Sequence, residues 1–292
     1  MAPAVAIASC AQFAGTEKED HQVIAVLGQR GLTVAHAAWD DPFVDWSSFA
    51  LVVIRSTWDY PQRIDEFLAW ASRLPRVSNP WPILKWNTDK RYLNDLSRAG
   101  VPVIPTCFLE PGEDFEPPSE VYVVKPAISC GAKDTARYQA GQECQARAHV
   151  QRLQAGGRTV MIQPYLAGIE STGEISMMFI GGHYSHSVCR GAMLNDKSSF
   201  YEISYPPNVR PYEATPADHL LADQVMANIP GGSNQLLFAR IDLIPGPAGK
   251  PLLLEAELTE PYLFLDFKPG GAERLADGIM KELASVEQVR KR

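Results

Sequence analysis

The sequence predicts a mixed α/β and α+β protein: an N-terminal doubly wound parallel-sheet lobe at 1–86, a central α+β lobe at 87–165 and a C-terminal α+β lobe at 166–292. Three observations carry this. Short apolar runs alternate with helical stretches up to residue 54. A proline-rich passage at 74–82 then breaks the pattern. Beyond 173, apolar strands are joined by Gly181-Gly182, a hairpin signal that implies antiparallel pairing. At 292 residues the chain is long for one core, so associated lobes are expected.

Val5-Ala6-Ile7-Ala8 reads as a buried first strand, 20–30 as a helix closed by Gly31, and Leu32-Thr33-Val34-Ala35 and Leu51-Val52-Val53-Ile54 as further strands. This β-α-β order implies parallel pairing, with ligands gathering at the carboxyl ends of the strands. Arg55-Ser56-Thr57-Trp58-Asp59-Tyr60 lies at such an end. A helix is expected from Asn87-Thr88, both acceptable caps, to Gly100. Strands at 121–124 and 159–162 flank a glycine-containing loop and a helix at 143–154. The C-terminal lobe reads as the 173–190 hairpin, a helix at 217–228, strands at 236–243 and 252–256, and a last helix at 272–283.

Composition narrows the function classes. A net charge of −7, with no basic run except Arg290-Lys291-Arg292, argues against nucleic-acid binding, which is driven by excess Lys and Arg. Five widely spaced cysteines without Cys-x-x-Cys indicate neither a disulfide framework nor a zinc site, and a cytoplasmic location fits. The apolar run at 4–8 is too short for a signal sequence or membrane span. Monomer and homo-oligomer both stay open.

Carboxylates carry the main chemical signal. Asp242 ends one strand, and Glu255 and Glu257 share a face of the next by period-two alternation. Converging carboxylates suit Mg²⁺ or Mn²⁺; a solvated strand end paired with Arg240 or Lys250 is the alternative. Lys125 precedes a small-residue loop containing Ser129, Gly131 and Lys133, whose amides suit phosphate oxygens, although an ordinary surface loop has the same composition. Gln163-Pro164-Tyr165-Leu166 turns an apolar strand into a connector able to offer backbone groups to an adenine edge. Glu170 and Glu174 follow as acceptors for ribose hydroxyls, or as ordinary loop glutamates. Arg190 and Lys197 are further cations for phosphate, with plain exposure the alternative. At 55–60, Arg55 suits a carboxylate and Asp59 an ammonium, with Thr57, Trp58 and Tyr60 either flanking a small amino-acid-like substrate or packing the lobe.

The order Lys90, Lys125 with its loop, Gln163-Pro164-Tyr165-Leu166, Arg240-x-Asp242 and Glu255-x-Glu257 resembles the ATP-grasp ligases over 87–260. The resemblance implies ATP clasped between the central and C-terminal lobes, with Lys90 and Lys125 on phosphates, residues 163–166 as adenine hinge, Asp242 and Glu255 on Mg²⁺, and Arg240 on the transferred phosphoryl group. The common family pattern ends in Glu-x-Asn, whereas this chain has Glu257. The blocks Arg55-Ser56-Thr57-Trp58-Asp59-Tyr60, Asn79-Pro80, Gly173-Glu174-x-Ser176 and Glu260-Pro261 resemble the cycloserine-forming cyclo-ligase branch. That branch implies carboxylate activation through an acyl phosphate and ring closure of an O-ureido-serine. An intermolecular amino-acid or peptide ligase and a non-catalytic ATP-binding module remain as alternatives.

Overall fold

A computed structural model describes residues 4–192, 194 and 208–290. Strand β1 (Val5–Ser9), helix α1 (Lys18–Gln29), β2 (Val34–Ala38), β3 (Leu51–Ile54), α2 (Ile64–Ala71) and β4 (Val77–Ser78) form a parallel sheet of order β2-β1-β3-β4. Alternation puts Val5, Ile7, Leu51 and Val53 against Val23 and Leu27 of α1, while Ala6, Ala8, Val52 and Ile54 meet Phe67 and Trp70 of α2. Both faces are covered, as strands apolar on both sides require.

The expected helix from Asn87 to Gly100 is the shorter α4 (Tyr92–Arg98), and Asn87 instead ends a preceding helix, α3 (Trp81–Asn87). Asn87 is not a cap. Its Nδ2 donates to Ala256 O at 2.7 Å and its Oδ1 accepts from Leu258 N–H at 2.8 Å, so tertiary hydrogen bonds outbid the local one.

The central sheet, β5-β8-β6-β7, is antiparallel and built from β5 (Cys107–Leu109), β6 (Tyr122–Pro126), β7 (Ala136–Tyr138) and β8 (Val160–Pro164), with α5 (Glu143–Ala155) between β7 and β8 in sequence. Tyr122, Val124, Val160 and Ile162 bury against Ala146, Val150 and Leu153 of α5. The alternate residues Val123, Lys125 and Gln163 face a cavity.

After α6 (Gly168–Thr172) come β9 (Glu174–Ile180), β10 (His183–Arg190), β11 (Arg210–Tyr212), α7 (Pro216–Ala227), β12 (Phe238–Pro245), β13 (Pro251–Glu257) and α8 (Gly271–Arg290), giving an antiparallel sheet of order β11-β10-β9-β12-β13. The β9–β10 turn needs left-handed backbone at Gly181 and Gly182, φ 60° and 78°. One sheet face packs on α4 and α7. From the other, Met178, Ile180 and Phe238 enter one core with Val5, Ile7, Leu27 and Leu51 of the first lobe and Leu275 and Ile279 of α8. No helix among the described residues is long and apolar enough to cross a membrane.

Candidate active site

A cavity of about 270 Å³ opens between the central and C-terminal sheets. Strand register assembles its polar wall. Across β9, β12 and β13, Ser176, Asp242 and Glu255 are opposite one another. Arg190 faces Glu174, and Arg240 faces Glu257. Arg240, Asp242 and Ile244 of β12 all line the cavity, as period two dictates. Lys125 enters from β6, and Lys90 is held in the α3–α4 connection by donating to Ser129 O at 2.6 Å and Oγ at 3.1 Å.

The wall is a charge lattice. Arg240 pairs with Asp242 at 2.9 Å and with Glu257. Arg190 pairs with Asp242 at 3.0 Å and with Glu174. Lys125 donates to Glu255 at 2.6 Å, with Lys90 3.7 Å from the same carboxylate. Ser176 Oγ donates to Asp242 at 2.6 Å. Burial alone would raise both Asp242 and Glu255, but Arg240 and Arg190 hold the first below its ordinary pKa, and Lys125 and Lys90 the second. Burial, with repulsion from Asp242, pushes Glu174 up to about 7 and raises Glu257 despite its arginine.

The other end is apolar. Gln163, Pro164, Tyr165 and Leu166 line it with Ile104, Val123, Ile169 and Leu254. Gln163 is fixed by donating from Nε2 to Thr106 Oγ1 at 2.8 Å. Pairing slips by one residue between Asp242 and Leu243, so Leu254 and Glu255, chain neighbours, both line the cavity. Ser129 and Gly131 line it too, whereas Lys133 is exposed outside the lining. Glu170 also lies outside: it is exposed, paired with Arg137 at 2.7 Å, and accepts from the Tyr165 hydroxyl at 2.9 Å. Of the two glutamates considered for ribose, only Glu174 faces the cavity, and there Arg190 holds it. Lys197 falls outside the described residues.

Most of residues 55–60 do not line this cavity. Arg55 is buried outside the cavity lining, donating to Glu19 at 2.9 Å, Asp20 at 3.3 Å and Pro261 O at 2.9 Å. Glu19 in turn accepts from the Leu263 and Leu265 amides, both at 2.8 Å. This knot ties the first lobe to the segment after β13. Thr57 is fully buried, and Asp59 is occupied by Trp39 Nε1 at 2.8 Å. Tyr60 is buried against Phe67. Trp58 alone of these lines the cavity, its Nε1 donating to Glu260 O at 3.0 Å. Sequence reasoning missed Phe13, Glu260, Tyr262 and Phe264 as lining residues; only Glu260-Pro261, a block of the resemblance, pointed there.

The residues fit a hard divalent cation. Asp242, Glu255 and Glu257 offer only oxygen, share the cavity and sit beside cations already pairing with them, so a nucleoside triphosphate would add negative charge that the paired cations among the described lining residues do not offset in full. Among the described residues no three His, Cys, Asp or Glu are grouped as a ready-made metal site. Mg²⁺ commonly completes its shell with substrate phosphates and water.

Known proteins match this architecture. A family model described as the N-terminal domain of D-cycloserine synthetase DcsG matches residues 5–80. The cycloserine biosynthesis protein DcsG of Streptomyces lavendulae is 38% identical over 272 residues, covering 87% of this chain and 90% of the relative. The crystal structure of D-cycloserine synthetase DcsG superposes with a TM-score of 0.87 at 34% identity, over 96% of this chain and 99% of that one. D-alanine–D-alanine ligase from Bacillus anthracis complexed with ATP shares the fold, with a TM-score of 0.71 at 13% identity over 99% and 100% of the two chains. Identity at this level across nearly the whole length, on an ATP-grasp fold, means that the chain belongs to the D-cycloserine synthetase family of ATP-dependent ligases.

Proposed function

We propose that the protein converts O-ureido-D-serine to D-cycloserine with ATP, by activating the carboxylate as an acyl phosphate and closing the ring within one molecule. The observation that carries this reading is the 38% identity to the cycloserine biosynthesis protein over 87% of the chain. The cavity supports it: an apolar end for a purine, a cationic middle for phosphates and a small aromatic end beyond.

The substrate carboxylate takes the γ-phosphoryl group as the bond to the β-phosphate oxygen breaks, giving ADP. The aminooxy nitrogen then forms a bond to the carboxyl carbon while phosphate leaves, and mass balance removes the carbamoyl group with one water as carbamate. Lys90 and Lys125 hold the phosphates, and Arg240 and Arg190 steady the charge on the transferred group and acyl phosphate. Gln163 to Leu166 seat the adenine. Asp242, Glu255 and Glu257 would hold a divalent cation, which would supply charge neutralisation for the polyphosphate. Ring closure makes the nucleophile intramolecular, and effective molarities of roughly 10⁵ M or more remove the need for a strong catalytic base.

The test is mass spectrometry of products from O-ureido-D-serine, ATP and Mg²⁺, with ADP measured in parallel. Cycloserine and ADP from this single substrate are expected. ADP formation only after a second amine is added would establish an intermolecular ligase instead, and nucleotide binding without turnover would establish a binding module.

A further inference from the structure

Of the five acids lining the cavity, Glu174, Asp242, Glu255 and Glu257 each have a cation partner. Glu260 has none among the described residues, yet it is over nine-tenths buried, at 7% exposure. A buried carboxylate without a counter-ion is costly, so the group stays protonated until a ligand supplies a positive charge. We propose that Glu260 is the subsite for the substrate's α-ammonium group, in an aromatic recess formed by Phe13, Trp58, Tyr262 and Phe264. This rests on the amino-acid substrate proposed above.

The surroundings suit that ligand. Phe13 and Trp58 meet edge to face with centroids 4.8 Å apart, and Tyr262 and Phe264 at 5.0 Å, so ring faces and edges border the recess and ring faces attract an ammonium. The backbone at 260–265 is held from the first lobe. Trp58 Nε1 binds Glu260 O, Arg55 binds Pro261 O, and Glu19 accepts the amides of Leu263 and Leu265. Arg55 thus gains a role: it positions the loop bearing the carboxyl group. Tyr60 lies beside Glu260 and favours its charged form. Without a ligand, burial and then Glu257 push Glu260 up to about 8, and an arriving ammonium would reverse this. On the same loop, Arg240 donates to Tyr262 O at 3.0 Å, so the recess adjoins the phosphoryl-transfer centre.

The test compares Glu260→Gln with wild type on O-ureido-D-serine and on its desamino analogue, 3-(ureidooxy)propanoate. Losing a charged hydrogen bond should raise KM for the amino substrate about 10- to 100-fold. The change in kcat should be small, the ATP KM unchanged, and the desamino analogue should be used poorly but equally by both proteins. An unchanged KM ratio, or a fall in kcat shared by both substrates, overturns the assignment; the latter would make Glu260 a proton acceptor. If wild type does not turn over O-ureido-D-serine, the functional reading fails and this inference with it. If wild type is active but the two proteins behave alike, only this inference fails.

Discussion

Lys125 spans two lobes: its strand belongs to the central sheet, and its ammonium meets Glu255 of the C-terminal sheet. Lys125→Ala should therefore lower ATP-dependent turnover by about 10²- to 10³-fold, the scale of losing one transition-state charge contact. The fold should survive, because Lys90 remains 3.7 Å from Glu255. ADP release with circular dichroism checks both halves, and full activity would sink the assignment. Arg55 should behave oppositely. Arg55→Met leaves Glu19 and Asp20 buried without their cation, and breaking such a pair costs about 3–5 kcal/mol, read as a lower urea midpoint. Wild-type stability in that variant would refute the knot's structural role. Lys125, Arg240 and Glu255 stood out because their order along the chain resembles the ATP-grasp ligases, and the fold brings all three to one cavity. The role of Arg55 did not, since Glu19 and Asp20 lie 36 and 35 residues away and Pro261 lies 206 away, and nothing local marks an arginine as engaged.

At the scale of elements, α5 and β7 contain a pH-sensitive joint. His149 of α5 meets the Tyr138 hydroxyl at 3.0 Å, and burial, reinforced by Arg152, lowers its pKa from 6.5 to about 4. The unfolded chain takes up a proton first as pH falls, so this contribution is complete above about 6.5 and is lost progressively toward 4. Thermal melts at pH 7 and 5 should show a drop that His149→Leu reduces; an equal drop in both would exclude the histidine. Periodicity recovered most elements, including β3, α5 and the β9–β10 hairpin, because apolar alternation and a Gly-Gly turn are local signals. The split between α3 and α4 was illegible: Asn87 has the chemistry of a cap and spends it on β13. Neither could the sequence show the slip that turns Leu254 inward, since a bulge depends on pairing with β12.

For the whole molecule, nucleotide and metal should stabilise together. A nonhydrolysable ATP analogue at about 100 times its Kd should add roughly 2.7 kcal/mol with Mg²⁺, seen as a raised Tm. EDTA should abolish most of that rise, because the lattice of Lys90, Lys125, Arg190 and Arg240 is already matched by carboxylates. An equal rise in EDTA would mean that the carboxylates hold no cation. The chain forms three sheets, but which of them share a core was not legible, because that rests on contacts between residues far apart in sequence.

The inequality between the sheets shows in which elements share a core. The first and third lobes are fused through one core running from Val5 and Leu27 to Met178, Phe238 and Ile279, and Arg55 bolts them together a second time. The central sheet has one core against α5, around Val124, Val150 and Leu153, and through Met161 and Ala127 it also enters the core that α4 and α7 form on the C-terminal sheet. Lys125 and Gln163 therefore come to the cavity from one sheet, while Asp242, Glu255 and Glu257 come from the sheet fused to the first lobe.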